Sequence, residues 1–535
     1  MFLKKKKRIK YLRDIWGKSI DKFRNFDLIG SYHSLLKSKS NEEYVDDKTW
    51  SDLELDSLFT KIDRNISCIG QQYLYHQLHK YEPDENLLKK RFDLITTLKN
   101  NQSLRENIQL NLFGLSGHSS NFIAYLVLNE ELPKTKFYPL FYICSLLSAL
   151  SVVMIAYNGV FLFVALAILL INLIINKIFS GKIYEYFTGF SSLNSLIVTA
   201  IAISKLKNDF RIEEINLLKQ NRTLLKSLKK KLGYLVVDKE SLNELAVVVI
   251  EYLNMFLLFD VIAYYRSVNI LLKNQKEIRK VYESVARLDS SISIASYLSE
   301  IPFYSNPVFS KSNTLKMDSI YHPTIENAIP NSIEEISGSA LITGSNMAGK
   351  TTFIKTVGIN VVLSQTLYFS LSKKFFIPKL KVKTSIRRND NMAKGKSYFF
   401  VEIELLNNFV KLSNEENNYL FLIDEIFRGT NTIERLATST AVLKYLGTNN
   451  KVLCTTHDIE LQDLLENTFS MFHFSEQVEN GKFFFNYKIK EGPCSSGNAI
   501  KLLGIMDYPD SIISESNRIV KTLLQNERLV DLTKE

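Results

Sequence analysis

Residues Leu341 to Thr352 read LITGSNMAGKTT. The run fits the phosphate-loop spacing G-x-x-x-x-G-K-[ST], with Gly344, Gly349, Lys350 and Thr351 at its fixed positions. Small residues through Ser345, Asn346, Met347 and Ala348 let backbone N–H groups curl around a phosphate. The helix that follows, opening at Lys350-Thr351-Thr352, turns its positive end toward the anion. Lys350 is placed to reach the β- and γ-phosphates, and the Thr351 hydroxyl to ligate Mg²⁺. The flanks agree with this: SALIT (Ser339 to Thr343) reads as a buried strand and KTTFIKTVGINVVLSQTL as a helix.

Downstream, NYLFLIDEIFRG (Asn418 to Gly429) reads as a second buried strand, ending in Asp424-Glu425. A strand-end carboxylate facing a phosphate loop is what Mg²⁺ requires, so Asp424 is assigned to the metal and Glu425 to polarising the attacking water. KVLCTTHDIEL is a third such strand and ends at His457, a residue suited to contact the γ-phosphate. Ahead of the acidic pair, GKSYFFVEIELL (Gly395 to Leu406) puts Ser397 at a helix start, where hydroxyl and backbone N–H groups can meet a phosphate. Strands alternate with helices from about residue 339 onward, the pattern of a mostly parallel α/β sheet. The stretch 301–338 reads as loop-rich.

The chain has 535 residues and a formal charge of +11. The excess is concentrated at the start. Ten Lys/Arg against Asp14 and Asp21 give Met1 to Arg24 a net +8, leaving +3 for everything after. This predicts a basic tail over residues 1–40, suited to anionic lipid, to nucleic-acid phosphate or simply to solvent, rather than a basic face. No apolar run follows KKKKRIK, so it does not read as a secretory signal. The four cysteines, Cys68, Cys144, Cys454 and Cys494, are scattered without a CxxC pair, which argues against a disulfide framework or a zinc site.

From Asp46 to Tyr81, apolar residues at helical spacing (Leu53, Leu55, Leu58, Phe59, Ile62) predict a helix. A break at Asp63 to Ser67, a second helix over 71–78 and further amphipathic helix from Asn86 to about Asn129 follow. Then the character changes. Phe137 to Asn176 contains no Asp, Glu, Lys or Arg. A membrane-crossing helix needs about 20 apolar residues, so the run predicts a transmembrane hairpin within 136–180, with spans at about 138–157 and 159–177 and a turn at Asn158-Gly159. Lys134, Lys136, Lys177 and Lys182 flank both ends and predict that both ends, and the two arms beyond them, are cytoplasmic. Residues 181–300 read as long helices. Within them Leu245 to Tyr265 is strongly apolar but carries Glu251 and Asp260, which favours a core helix over a third span.

TGSNMAGKTT, SYFFVEI, LIDEIFRGTN and CTTHDIEL, in this order, resemble the phosphate loop, signature, Walker B/D-loop and switch His of the MutS family of mismatch-repair ATPases, within the ABC ATPase superfamily. YHPTIE (Tyr321 to Glu326) is similar to that family's His-Pro segment. SSGNAIKLLGI with YPDSIISESNRIV resembles its closing SYG-type and helical dimerisation segments, with Ser496 where the family has Tyr. The resemblance is strong over about 315–525 and weaker over 46–300, where it matches the helical core and lever regions. It implies a helical region (41–135 and 181–300) followed by a phosphate-loop ATPase domain (301–535) with C-terminal dimerisation helices. It also implies a homodimer with composite ATP sites in which Ser397 acts in trans, Glu425 is the base and His457 switches. Departures accompany it. No mismatch-reading domain or Phe-x-Glu wedge is found before Asp46, no nuclease extension follows Glu535, and the apolar hairpin has no counterpart in the classical members. Two functions stay open: a membrane-tethered, MutS-like ATPase dimer acting on DNA, or an ATP-driven membrane machine coupled to a membrane partner with no DNA role.

Overall fold

The computed structural model describes residues 2–40, 42–129, 132, 138–233, 244–344, 348–386, 398–427, 430–479, 482–494, 500, 503, 506 and 508–532. The chain divides into two compact units, residues 1–44 with 57–302 and residues 45–56 with 303–535.

The first unit is helical. Its helices are α1 (Phe2–Ile15), α2 (Phe26–Lys37), α4 (Leu55–Ile62), α5 (Cys68–His79), α6 (Glu85–Asn100), α7 (Gln102–Leu112), α8 (Ile123–Leu128), α9 (Tyr138–Ile155), α10 (Phe161–Ile203), α11 (Glu213–Gln220), α12 (Arg222–Gly233), α13 (Glu244–Leu257), α14 (Phe259–Lys273) and α15 (Gln275–Tyr297); the short α3 (Asp47–Asp52) belongs to the second unit. Local chemistry sets the ends. Asn25, Asp46, Ser67 and Asp84 each accept a first-turn N–H as N-caps. The core gathers Tyr32, Ile69, Phe190, Leu193, Ile197, Tyr282 and Leu288. At its centre Asp289 of α15 is fully enclosed and accepts from the Ile66 and Ser67 N–H groups at 3.2 and 2.7 Å. Burial pushes its carboxyl up to about 6, against the opposing pull of the Ser67 bonds.

Three expectations change here. The basic stretch 1–40 carries α1 and α2 rather than a tail. Leu12 is buried, Arg13 pairs with Glu106 at 2.7 Å, and Lys22 and Arg24 pair with the buried Asp63 at 3.0 and 2.9 Å. Charge counting missed this because the acidic partners lie 39 or more residues away in sequence. The run Leu53 to Ile62 is not one helix: Glu54 takes a left-handed φ of +55° and separates α3 from α4. The boundary set at 180, just past the second apolar stretch, is not a helix end. That stretch continues as one helix of 43 residues, since Gly181 alone does not break a helix and a new apolar stripe begins at Phe190.

Tyr138–Ile155 and Phe161–Phe179 are long and apolar enough to cross a membrane, and only 17% and 11% of them is buried, unlike core helices. The turn between them falls where Asn158-Gly159 predicts it, with Asn158 Oδ1 accepting from Val160 N at 3.0 Å. The basic helix α1 is remote from this apolar end. It packs on α7, and Asn111 of α7 accepts from Thr199, 20 residues past Phe179 on α10 and so about 30 Å along it. Lipid contact through the N-terminus therefore has no support in the fold.

The second unit is α/β. Its strands are β1 (Val308–Phe309), β2 (Leu315–Ile320), β3 (Asn331–Ile336), β4 (Ser339–Thr343), β5 (Lys374–Ile377), β6 (Lys381–Ser385), β7 (Tyr419–Asp424), β8 (Lys451–Thr456), β9 (Phe469–Glu479) and β10 (Lys482–Glu491). Its helices after α3 are α16 (Lys350–Thr366), α17 (Tyr398–Glu415), α18 (Thr432–Asn449), α19 (Glu460–Leu465) and α20 (Asp510–Leu532). The main sheet runs β10-β9-β4-β8-β7-β6, parallel except for the edge strand β10. The segment expected to be loop-rich, 301–338, instead carries β1, β2 and β3, which with β5 form a four-stranded sheet. These strands are two to six residues long, too short for their alternation to stand out. The α3 segment closes β6: Asp52 accepts from Thr384 Oγ1 at 2.8 Å and Ile386 N at 3.1 Å.

Candidate nucleotide-binding site

Parallel pairing brings three strand ends to one edge. Thr343 of β4 is level with Thr456 of β8, and Asp424 of β7 with Thr455. The segments that follow these strands therefore converge, as the crevice at the carboxyl ends of such a sheet requires.

After β4 the chain turns at Gly344, whose φ is +130° and where a Cβ would collide with the Phe474 carbonyl. Gly349, φ +104°, caps α16. Both glycines of the spacing are thus forced by backbone geometry, one of them also by close approach. Lys350 is 1% exposed; its Nζ donates to the Gly344 carbonyl and lies 3.3 Å from His457 Nε2. Thr351 Oγ1 donates to Asp424 Oδ2 at 2.9 Å, and Thr455 Oγ1 donates to the other Asp424 oxygen. His457 Nε2 meets Glu425 Oε1 at 2.9 Å. Ala348 is buried, and Thr352 faces the cavity described below. The structure thus brings together Gly344, Ala348, Gly349, Lys350, Thr351, Thr352, Asp424, Glu425 and His457. Ser345, Asn346, Met347 and Ser397 lie outside the described residues.

The loop after β7 is strained. Glu425 and Phe427 have φ of +61° and +57°, a region costly for residues with a Cβ. Two hydrogen bonds hold it: Glu425 N donates to Thr455 O at 2.9 Å, and Phe427 N to Glu402 Oε1 at 2.8 Å. Glu402, buried on α17, and Thr455 were not among the residues picked out by motif. Thr455 had a signal in its place within Cys-Thr-Thr-His; Glu402 looks like any helix acid.

Beside Gly349 a cavity of about 430 Å³ is lined by Tyr321, His322, Glu326, Phe353, Phe474 and Tyr487, among others. Asn331 fixes one wall, donating to Tyr487 O at 3.0 Å and accepting from Ile489 N at 2.9 Å. Burial pushes the His322 imidazole down to about 4, so it is neutral near pH 7 and bonds Thr324 Oγ1 at 3.1 Å. Apolar and aromatic walls with a few fixed polar groups suit a flat heterocycle attached to a phosphate chain.

The description "MutS domain V" matches residues 340–524. The chain is 29% identical over 273 residues to the DNA mismatch repair protein MutS of Listeria innocua, covering 49% of this chain and 31% of that protein. It is 30% identical over 273 residues to the MutS of Listeria welshimeri, and 30% over 264 residues to that of a Geobacillus species, where the shares are 47% and 30%. The chain thus spans about a third of the length of the curated relatives it matches. Loop, acidic strand end and His457 stand together on one sheet edge in the segment that carries this match: the protein carries a MutS-family domain over residues 340–524.

Proposed function

We propose that the protein binds and hydrolyses ATP with Mg²⁺, as a homodimer whose closure on ATP moves its helical unit, and that the apolar hairpin tethers it to a membrane. One observation carries the nucleotide reading: Thr351 Oγ1 and Asp424 Oδ2 stand 2.9 Å apart, at the residue that follows the buried Lys350. Two hard oxygen donors fit Mg²⁺, which takes few protein ligands and completes its shell with phosphate and water. Among the described residues no cluster of three or more His, Cys, Asp or Glu offers a rival metal cage. Bound Mg²⁺ would supply neutralisation of charge on the β- and γ-phosphates.

The chain's own residues do the rest. Backbone N–H groups of the loop and the N-terminus of α16 hold the phosphates, Lys350 turns its ammonium from the Gly344 carbonyl to the γ-phosphate, and the cavity at His322 takes the base. Glu425 orients and polarises the attacking water. His457, hydrogen-bonded to Glu425, reports the γ-phosphate to it. Ser397 serves the partner's site in the dimer, and exposed Ile512, Ile519 and Val520 on α20 offer apolar surface for dimerisation. The curated relatives are named for DNA mismatch repair, which motivates a DNA-handling role here. The exposed apolar hairpin favours the second reading, a machine coupled to a membrane partner without DNA.

The test is ATP turnover of the detergent-solubilised protein with and without duplex, mismatched and branched DNA at two salt concentrations. Stimulation that fades with salt supports the DNA reading; a rate indifferent to every DNA removes it in favour of the membrane machine. Lys350→Ala is expected to lose tight nucleotide binding. Glu425→Gln is expected to keep binding and stop turnover, and hydrolysis at the parent rate would refute the base assignment.

A further inference from the structure

The segment Leu245–Tyr265, expected as a core helix, is neither a core helix nor a span. It is α13, 14 residues long, then a break at Leu258 in the left-handed region (φ +53°), then α14. Among the described residues of α13, the apolar side chains of Val248, Val249, Tyr252, Leu253 and Met255 are exposed, Tyr252 to 70%. The helix packs against both α9 and α10.

The depth of that packing follows from one side chain. Asn172 lies on α10 within the apolar stretch Phe161–Phe179, about 16 Å from one end and about 10 Å from the other. Its neighbours Leu170, Ile171 and Ile174 are exposed, yet Asn172 is fully buried. It is covered because its Nδ2 donates to Ser148 Oγ of α9 at 2.9 Å and to the carbonyl of Phe256, in the last turn of α13, at 2.6 Å. The Asn172 Oδ1 has no hydrogen-bond partner among the described residues. Further toward the start of α9, Phe141 and Phe179 meet Tyr265 of α14 at 5.7 and 6.2 Å, so the chain runs from mid-depth at Phe256 to the base of the hairpin by Tyr265.

From this we infer that α13 is a third membrane-inserted element, a half-length helix whose C-terminus ends at mid-depth in the hydrocarbon and whose exposed face meets lipid chains. The inference rests on the membrane reading of the hairpin: if Asn172 lies in the bilayer, the Phe256 carbonyl bonded to it lies there as well. A hydrocarbon core of about 30 Å leaves both near its middle. Irregular backbone at that depth must have its polar groups met within the protein, and three bonds at the break serve this. Asp260 N donates to Asn254 Oδ1 at 2.7 Å, Asn254 Nδ2 donates to Asp260 Oδ2 at 2.8 Å, and Leu258 N donates to Asn254 O at 2.8 Å. In water the same face would expose five large apolar side chains on one short helix; in lipid it continues the exposed surface of α9 and α10.

The experiment places a tryptophan reporter in the full-length protein, reconstituted in phosphatidylcholine vesicles with and without bromines on the mid-chain carbons. Three variants are compared with the parent, whose two tryptophans, Trp16 and Trp50, give a constant background. They are Tyr252→Trp on α13, Leu170→Trp on the hairpin, and Phe210→Trp, an exposed position outside the apolar stretch. Added emission quenched at 252 to the same extent as at 170, and unquenched at 210, supports the inference. Quenching at 170 with none at 252, whether water or a second copy covers α13, overturns it and leaves the hairpin in the membrane. No quenching at either position overturns the membrane reading and the inference with it. As a second variant, Asn172→Leu in the Tyr252→Trp background removes the bond to Phe256 and is expected to change the quenching at 252 while leaving that of Leu170→Trp as it was; an unchanged value at 252 refutes the role given to Asn172.

Discussion

Glu402→Ala gives the sharpest test of how the loop after β7 is held, on the proposal that Glu425 polarises the attacking water. Glu402 sits on α17, is 5% exposed, and accepts the Phe427 N–H at 2.8 Å. Phe427 and Glu425 both occupy the left-handed region, at φ +57° and +61°. For residues with a Cβ that conformation costs about 1–2 kcal/mol each, so the loop keeps it only while its hydrogen bonds hold. Truncating Glu402 leaves a buried N–H without its acceptor, a loss of about 2 kcal/mol. Set against the strain, that shifts the equilibrium constant between the loop geometry that aims Glu425 and its released forms by about 30-fold. Turnover per site should therefore fall, by about 30-fold at most. Nucleotide affinity should change little, since Lys350, Thr351 and the loop glycines are untouched. Glu402→Gln keeps an acceptor oxygen at the same reach and should stay close to the parent. The assay is steady-state ATP turnover beside titration with a fluorescent nucleotide. If Glu402→Ala keeps the parent turnover, or loses affinity as much as turnover, Glu402 is not a positioning residue for this loop.

Three further outcomes follow from the structure. Thr351→Val should raise the Mg²⁺ concentration needed for half-maximal turnover, because one of two protein oxygens at that point is lost; an unchanged Mg²⁺ titration would remove Thr351 from the metal site. In the helical unit, burial, reinforced by His33, pushes His76 down to about 3, so its neutral form contributes stability that is present above its ordinary value near 6.5 and is lost as pH falls toward 3. Between pH 7 and pH 5 the loss is about 2 kcal/mol. Asp289, raised to about 6 by burial, works in the opposite direction over pH 4 to 6. The readout is therefore the difference between parent and His76→Gln in thermal unfolding at the two pH values, and identical pH slopes would refute the assignment. Gly70→Ala would set a Cβ 2.7 Å from Asn65 Oδ1 and 2.8 Å from Asp289 Cβ, costing about 1–3 kcal/mol as overpacking; an unaltered melting temperature would show that α5 can shift away from α15.

What could be read along the chain was what local pattern controls. SALIT and the helix from Lys350 came through because a fully buried parallel strand is one unbroken apolar run and the loop after it has fixed spacing. Asp424 and His457 followed because each closes such a run, or follows it directly, and parallel register does the rest. What pairing across long separations controls was hidden. Glu402 becomes a loop clamp only because α17 passes Phe427, 25 residues on. Lys22 and Arg24 cease to be tail charges only because Asp63 sits between them in space. The four-stranded sheet was hidden for the same reason, since β1 and β2 find their partner β5 more than 50 residues later.

The boundary placed near residue 180 is instructive in a different way, because the change in composition there is real and the mechanical break is absent. Charge returns after Asn176, but nothing at that point ends a helix, and α10 runs through it without interruption. A helix of 43 residues is about 65 Å long. It carries Asn172 at one end of its course and Phe190, Leu193, Ile197 and Ala200, all in the helical core, at the other. Helices bend sharply at prolines, at Gly/Ser pairs or at bulges. Ser180-Gly181 is such a pair in the sequence of α10. If α10 transmits movement between the core and the apolar hairpin as a rigid rod, stiffening that pair with Gly181→Ala should leave ATP turnover and any partner stimulation unaltered. If the pair is a hinge, the same change should uncouple them, and partner-stimulated turnover should drop while the basal rate holds.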